Sequence, residues 1–252
     1  MDLLTVAHRD RPELDMELTG SLLEAVARGT APDTIRVFRP GPTLAFGRLD
    51  RTRSGFDAAC RVALAHGRTP VVRWGGGHAA AYDSECLIVE VLCRHERNAV
   101  SGLEDRFCDM VDLVRRGLAG LGVSLELGEL PWEYCPGRHS LHLPSGPKVA
   151  GVAQRVLTRA SLTTAVIVIG GANALRLTLA DVYAALGLPL NLDTVGAVAE
   201  RHPEVSCDLV RRTITHNVAA RYRTVLRRHL DGTTSLADDE QDVPKEYIDK
   251  RA

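Results

Sequence analysis

Gly146-Pro147-Lys148-Val149-Ala150-Gly151-Val152-Ala153-Gln154-Arg155 reads as a tight turn that runs directly into a β-strand. Pro144-Ser145-Gly146-Pro147 carries the turn chemistry: proline presets φ, and glycine accepts dihedrals closed to other residues. The strand is expected over 148–157 and pairs back on a short strand at 140–143. Ala150, Gly151 and Ala153 are small, which leaves room for something to approach the sheet. Lys148 opens the strand. Such a lysine either snorkels to the surface or offers an amine to a ligand, and its small neighbours favour the ligand.

Lys148 is unusual in this chain. Of 31 basic residues only three are lysines, and the other two, Lys245 and Lys250, lie in the polar C-terminal stretch. A lysine supplies a compact, titratable primary amine that arginine cannot. Survival of one lysine by chance is the plain alternative.

Outward from this turn, strands alternate with helices without a fixed order. Helical spacing of leucines predicts a helix over 13–28, with Gly29 as its stop. Strands are expected at 34–38, 43–46 and 69–74, and a helix at 54–66. Residues 78–92 read as one long strand or a hairpin. An amphipathic helix follows at 102–120, a strand at 123–127, a proline-containing loop at 128–138, and a strand at 161–169. Helices close the pattern at 177–186 and 207–230. The fold class is α+β: a mixed or antiparallel central sheet flanked by helices. Residues 1–231 are expected to form a single catalytic domain, and residues 232–252 a polar, disordered tail.

Bulk properties narrow the function. Hydrophobic residues make up 45% and aromatics 4%, so an aliphatic core is expected. The net charge of −1 steers the chain toward neither nucleic acid nor an anionic membrane. No stretch reaches the ~20 apolar residues of a membrane span, and residues 1–10 hold no signal-like apolar run. Six cysteines form no Cys-x-x-Cys pair, so no metal site is expected. A cytoplasmic protein with reduced thiols is the expectation.

Two further features bear on chemistry. Arg73-Trp74-Gly75-Gly76-Gly77, followed by His78, ends an apolar strand. Three glycines cost conformational entropy. They signal either a plain turn or a backbone that must lie against a ligand, with N–H groups and Arg73 available to phosphate or carboxylate oxygens. Glu133-Tyr134-Cys135-Pro136-Gly137 places Cys135 in a loop. The other cysteines fall at apolar positions of expected elements and read as small buried hydrophobes. Cys135 is either an inert loop thiol or a nucleophile with access and a lowered pKa.

Taken in order and spacing, these motifs resemble the lipoate/biotin protein ligase catalytic-domain family. The Arg-x-x-Gly-Gly loop of that family matches Arg73 to Gly77. Its Gly-x-Lys-x-Ala-Gly-x-x-Gln-Arg strand matches Gly146 to Arg155. The Tyr134-Cys135-Pro136-Gly137 loop is most similar to the branch that moves octanoyl groups from the glycine-cleavage H protein to other lipoyl domains. The resemblance implies that Cys135 carries the acyl group and that Lys148 holds the acyl carbonyl or an anionic oxygen. It implies a substrate surface made by Arg73, Gly75, Gly76, Gly77, His78, Val149, Ala150, Gly151 and Ala153. Implied partners are the glycine-cleavage H protein and the lipoyl domains of 2-oxo acid dehydrogenase acyltransferase subunits. The acyl ligand is octanoate or lipoate, and transfer needs no cofactor.

Two alternatives accompany this. An ATP-dependent lipoate–protein ligase would need ATP and magnesium, and a non-catalytic member would only bind. Against the ligase, Tyr82-Asp83 stands where ligases carry His-Asp, and Leu162-Thr163-Thr164-Ala165 holds no histidine. His139 and His142 lie near Cys135 in sequence as candidate bases.

Overall fold

The computed structural model describes residues 1–96, 99–222 and 225–226. Its centre is an eight-stranded mixed sheet. The strands, in chain order, are β1 (Asp2–Leu4), β2 (Thr34–Phe38), β6 (Cys86–Arg94), β7 (Glu126–Leu127), β8 (Leu141–His142), β9 (Lys148–Val156), β10 (Ala160–Val168) and β11 (Val225–Leu226). Across the sheet they run β11-β1-β2-β6-β10-β9-β8-β7. Pairings from β2 to β7 are antiparallel, and β1 lies parallel to both β2 and β11. Beside it stands a three-stranded sheet of β3 (Thr43–Phe46), β4 (Thr69–Val72) and β5 (Ala80–Tyr82), ordered β4-β3-β5.

Five helices cover these sheets: α1 (Pro12–Arg28), α2 (Phe56–Ala65), α3 (Leu103–Ala119), α4 (Ala172–Leu186) and α5 (Cys207–Tyr222). Proline at the first helical position and acidic Glu13 and Asp15 suit the start of α1, and left-handed Gly29 ends it. One face of the central sheet, with Leu87, Val89, Ala165 and Ile167, packs on Val114 and Leu118 of α3 and Ile214 and Val218 of α5. The opposite face meets two groups. Ile88 and Val168 join the small sheet and α4, while Leu92 and Leu162 join Leu23 and Val26 of α1. The site lies on this second face, between those groups.

Most expected elements are present, with shifts that have physical reasons. Residues 78–92 split into β5 and β6, which belong to different sheets, because the short turn at Asp83–Glu85 redirects the chain. The strand expected at 123–127 is paired only at Glu126–Leu127, although Val123 and Leu125 are buried in the core. Helix α4 begins at Ala172, with left-handed Gly171 before it. The helix expected over 207–230 ends at Tyr222, and Val225–Leu226 pairs with β1 instead. The strand β1 and the second sheet carried no expectation. The tail at 232–252 lies outside the described residues. Among the described residues, no helix is long and apolar enough to cross a membrane, and no group of three or more His, Cys, Asp or Glu is placed to hold a metal ion.

Candidate active site

A cavity of about 340 Å³ opens where the cysteine loop, the glycine loop and the lysine strand meet. Its floor is the central sheet. Gly151 and Ala153 of β9 pair with Val166 and Thr164 of β10, which pair with Ile88 and Glu90 of β6. Its roof is Met16 and Thr19 of α1 with Trp74 to Gly77. Tyr134 to Ser140 and Phe107 make the third side. Trp74 is pinned by donating its indole N–H to the Met16 carbonyl at 2.9 Å. A β-carbon on Gly20 would fall 2.3 Å from the Trp74 ring, so that glycine admits the indole.

Cys135 is partly exposed at this cavity. Its φ is +44°, a left-handed value that a residue before proline strongly disfavours. Such strain persists only where the surroundings over-determine it, and here they do. The Cys135 N–H donates to the Tyr183 hydroxyl at 2.6 Å, and that hydroxyl donates to the Ala79 carbonyl at 2.9 Å. The Cys135 carbonyl accepts from the Lys148 ammonium at 2.8 Å.

Lys148 is 2% exposed, and its three N–H donors all have partners. They reach the Glu133 carboxylate at 2.9 Å, the Tyr134 carbonyl at 3.0 Å and the Cys135 carbonyl. Lys148 therefore braces the cysteine loop in this arrangement rather than presenting a donor to a ligand. Glu133 completes the brace, accepting also from Ser140 Oγ at 2.5 Å and from the N–H groups of Gly137 and Leu130 at 3.2 Å.

Arg73 is the cation that touches the sulfur. Its Nη2 donates to Cys135 Sγ at 3.0 Å. Its other bonds go to the carbonyls of Ala45, Gly76 and His78. Burial pushes the Cys135 thiol up. The Arg73 and Lys148 charges, a bond from the His78 backbone N–H and the Arg73 bond outweigh it and hold the thiol below its ordinary value. Gly77 has a φ of +92°, and a β-carbon there would sit 2.5 Å from Cys135 Sγ and 2.8 Å from Arg73 Nη2. The triplet thus admits the thiol–guanidinium contact, and a β-carbon on Gly75 would meet Ala153 at 2.9 Å.

Of the residues expected at the site, Cys135, Lys148, Arg73, Gly75, Gly76, Gly77, Gly151 and Ala153 line the cavity. Val149 and Ala150 do not; both are fully buried in the core on the other face. The cause is a bulge. Leu141 pairs with Ala150 but His142 pairs with Lys148, so β9 holds one extra residue there. Lys148 consequently shares a side with Gly151, whose missing β-carbon would sit 3.3 Å from Lys148 Cε. His78 lies outside the lining, with Nδ1 2.8 Å from buried Asp50. Of the candidate bases, His139 lines the cavity, stacks on Phe107 with ring centroids 4.2 Å apart and bonds Glu104 at 3.0 Å. His142 points to Leu143 and Glu126 instead.

Sequence reasoning missed Tyr183, Thr19 and Glu90, and took Glu133 only as a flank of Cys135. Tyr183 carried no signal. The charged residues did: Glu90 interrupts the apolar run of β6, Arg36 interrupts β2, and the two pair directly across the sheet.

Comparison with known proteins follows the same line. The chain belongs to the lipoyl protein ligase A/B catalytic domain family, whose model matches residues 11–193. Among individual relatives, an octanoyl-GcvH:protein N-octanoyltransferase of Geobacillus kaustophilus is 28% identical over 66% of this chain and 58% of its own length. A lipoyl-GcvH:protein N-lipoyltransferase of Listeria monocytogenes is 26% identical over 62% of this chain and 55% of its own. The chain thus spans less than two thirds of the curated relatives it matches. A crystal structure of lipoate-protein ligase A bound with ATP superposes with a TM-score of 0.69 at 19% identity, covering 99% of this chain and 94% of the other. That likeness shows the fold.

Proposed function

We propose that this chain transfers an octanoyl or lipoyl group to the target lysine of a lipoyl domain through a thioester on Cys135. The observation that carries this reading is a strained, partly exposed cysteine whose sulfur accepts from Arg73 beside an apolar cavity. The names of the Geobacillus and Listeria relatives support the acyl group and the glycine-cleavage H protein as a partner. Lipoyl domains of 2-oxo acid dehydrogenase acyltransferase subunits are the further acceptors. The site lies in the cytoplasm, where the six cysteines, all free here, stay reduced.

The reaction runs in two displacements. The Cys135 thiolate attacks the acyl carbonyl of the donor, the carbon–nitrogen bond breaks, and the donor lysine leaves as an amine after taking a proton. The acceptor lysine, as a free amine, then attacks the thioester and gives up a proton to solvent, balancing the one taken by the donor amine, and the thiolate departs as the new amide forms. One amide replaces another, so no ATP is needed, and a covalent intermediate divides one hard step into two. Arg73 and Lys148 keep the sulfur ionised as attacker and as leaving group. Gly75 to Gly77, Gly151 and Ala153 contact the chain, whose burial contributes ~0.8 kcal/mol per methylene.

The ligase alternative asks Gly75 to Gly77 to cradle an adenylate phosphate and Lys148 to contact it. The three Lys148 donors are bonded to Glu133 and the Tyr134 and Cys135 carbonyls, which speaks for the transfer reading. The test is incubation with octanoylated H protein and intact-mass spectrometry. An octanoyl adduct on Cys135 without ATP is expected. A Cys135→Ala variant that transfers at the wild-type rate sinks the reading.

A further inference from the structure

The cavity holds a group that an apolar chain does not require. Glu90 lies on the floor between Ile88 and Leu92, 2% exposed, and lines the cavity together with Thr19. Arg36 reaches its Oε2 from β2 at 2.9 Å, and the same guanidinium reaches Asp15 of α1 at 3.1 Å. All four residues are buried, none more than 2% exposed. A buried carboxyl at this depth must be either fully satisfied or costly.

Its hydrogen bonds admit two arrangements. Thr19 Oγ1 has one hydrogen to give. It accepts from Arg36 Nη1 at 2.7 Å, and it faces the Asp15 carbonyl at 2.8 Å and the two Glu90 oxygens at 3.0 and 3.1 Å. With Glu90 ionised, Thr19 gives it that hydrogen, and the Asp15 carbonyl keeps the backbone N–H of Thr19 within α1. With Glu90 protonated, it donates to Thr19, Thr19 donates to Asp15, and every contact is satisfied. Charge favours the second arrangement, since Asp15 and Glu90 share one guanidinium. Burial pushes the Glu90 carboxyl up, and Arg36 and Thr19 only partly offset it.

Position gives the carboxyl its role. Ala153, Thr164 and Glu90 form one row across β9, β10 and β6. Two strand spacings of ~4.8 Å put Glu90 roughly 10 Å from Ala153 across the floor.

We propose that Glu90, kept neutral by its burial and bonded to Thr19 and Arg36, is the end wall of the acyl site. It limits the length of the chain and favours a distal end that can donate a hydrogen bond, a hydroxyl or thiol, over a longer all-hydrocarbon chain. The inference rests on the acyl-transfer reading above.

The experiment measures binding, not transfer, with neutral amides that mimic an acylated lysine. N-methyloctanamide, its 8-hydroxy derivative and N-methyldecanamide are titrated calorimetrically into the full chain as wild type, Glu90→Gln and Glu90→Leu. Wild type is expected to bind the octanamides and to prefer the hydroxy form by up to about tenfold. Glu90→Leu should lose that preference and gain on the decanamide, by about fourfold per added methylene. Glu90→Gln, a neutral isostere, should keep the wild-type order. It also supplies a readout that survives if Glu90→Leu fails to fold. Octanamide binding to wild type should weaken as rising pH ionises Glu90, with Arg36, Asp15, His8 behind Asp15, and Tyr82 as its charged and titratable neighbours, whereas Glu90→Gln should stay level. One binding order in all three proteins, or a pH response shared by Glu90→Gln, overturns the end wall while octanoyl adducts on Cys135 leave the transfer reading standing. A wild type that binds none of the probes overturns both.

Discussion

The two ends of the cavity are built from the same parts in opposite proportion. Around Cys135, two cations, Arg73 and Lys148, face one carboxylate, Glu133. Around Glu90, two carboxylates share the single guanidinium of Arg36. Burial disfavours charge at both ends. At the cysteine the surplus of positive charge overcomes it and lowers the thiol pKa. At Glu90 no surplus exists and the carboxyl is pushed up. One end is thereby suited to a thiolate and the other to an uncharged wall, which is what a site joining a reactive carbonyl to an apolar chain requires.

The largest break in that comparison is Lys148→Met. It leaves the Glu133 carboxylate, 1% exposed, without its cation, and unpairing a buried ion costs about 3–5 kcal/mol. Urea unfolding should show a loss of that size, and the double variant with Glu133→Gln should recover part of it. A loss below ~1 kcal/mol would mean that the brace is not what holds the loop. Next comes Gly77→Ala. The added methyl would meet Cys135 Sγ at 2.5 Å, at a φ that alanine resists. Displacing the sulfur by an ångström is expected to lower transfer by about 10²-fold, with the fold retained by circular dichroism.

Arg73→Gln sharpens the electrostatic half. Losing the contacting charge should raise the thiol pKa, and at a fixed lower pH the thiolate population falls about tenfold each time that pKa climbs by one. The sign is plain. Ionisation of Cys135 in wild type begins below the ordinary thiol range, so iodoacetamide alkylation should stay fast as pH falls and drop only through the lowered pKa. In Arg73→Gln the same drop should occur at higher pH. Identical alkylation profiles would remove Arg73 from the account.

Much of this was legible in the sequence, for identifiable reasons. Cys135 and Lys148 stood out because each breaks its local context: a thiol before proline, and a lone lysine in an arginine-rich chain. The helices α1 and α3 follow from apolar periodicity. What failed required information from distant chain. Val149 and Ala150 were put on the ligand as part of a small-residue stretch, and one inserted residue in β9 turns both into the core. Residues 78–92 show period-two patterning, which does not say that β5 and β6 join different sheets. Arg36 and Glu90 are separated by 54 residues yet bonded; only the register of β2 on β6 makes them a pair. Tyr183 sits in α4, 48 residues from the amide it holds.

Tyr183 supplies the smallest test and the one closest to the strain at Cys135. Its hydroxyl accepts from the Cys135 N–H and donates to Ala79, and the residue is 2% exposed. Tyr183→Phe keeps the ring and its packing on the second core but leaves one buried donor and one buried acceptor without partners. The expected loss is about 1–3 kcal/mol by urea unfolding, below that of Lys148→Met because no charge is stranded. The consequence for chemistry should be sharper than for stability. With its amide released, the Cys135 backbone is held through the Lys148 bond to its carbonyl, and the side chain through Arg73, against a φ of +44°, and it should relax toward the extended conformation that Pro136 favours. Alkylation of the thiol should then lose part of its dependence on Arg73, so that Arg73→Gln slows the Tyr183→Phe protein less than it slows wild type. Additive effects of the two substitutions would show that the loop holds its shape without the tyrosine, and would move the origin of the strain to the Lys148 brace alone.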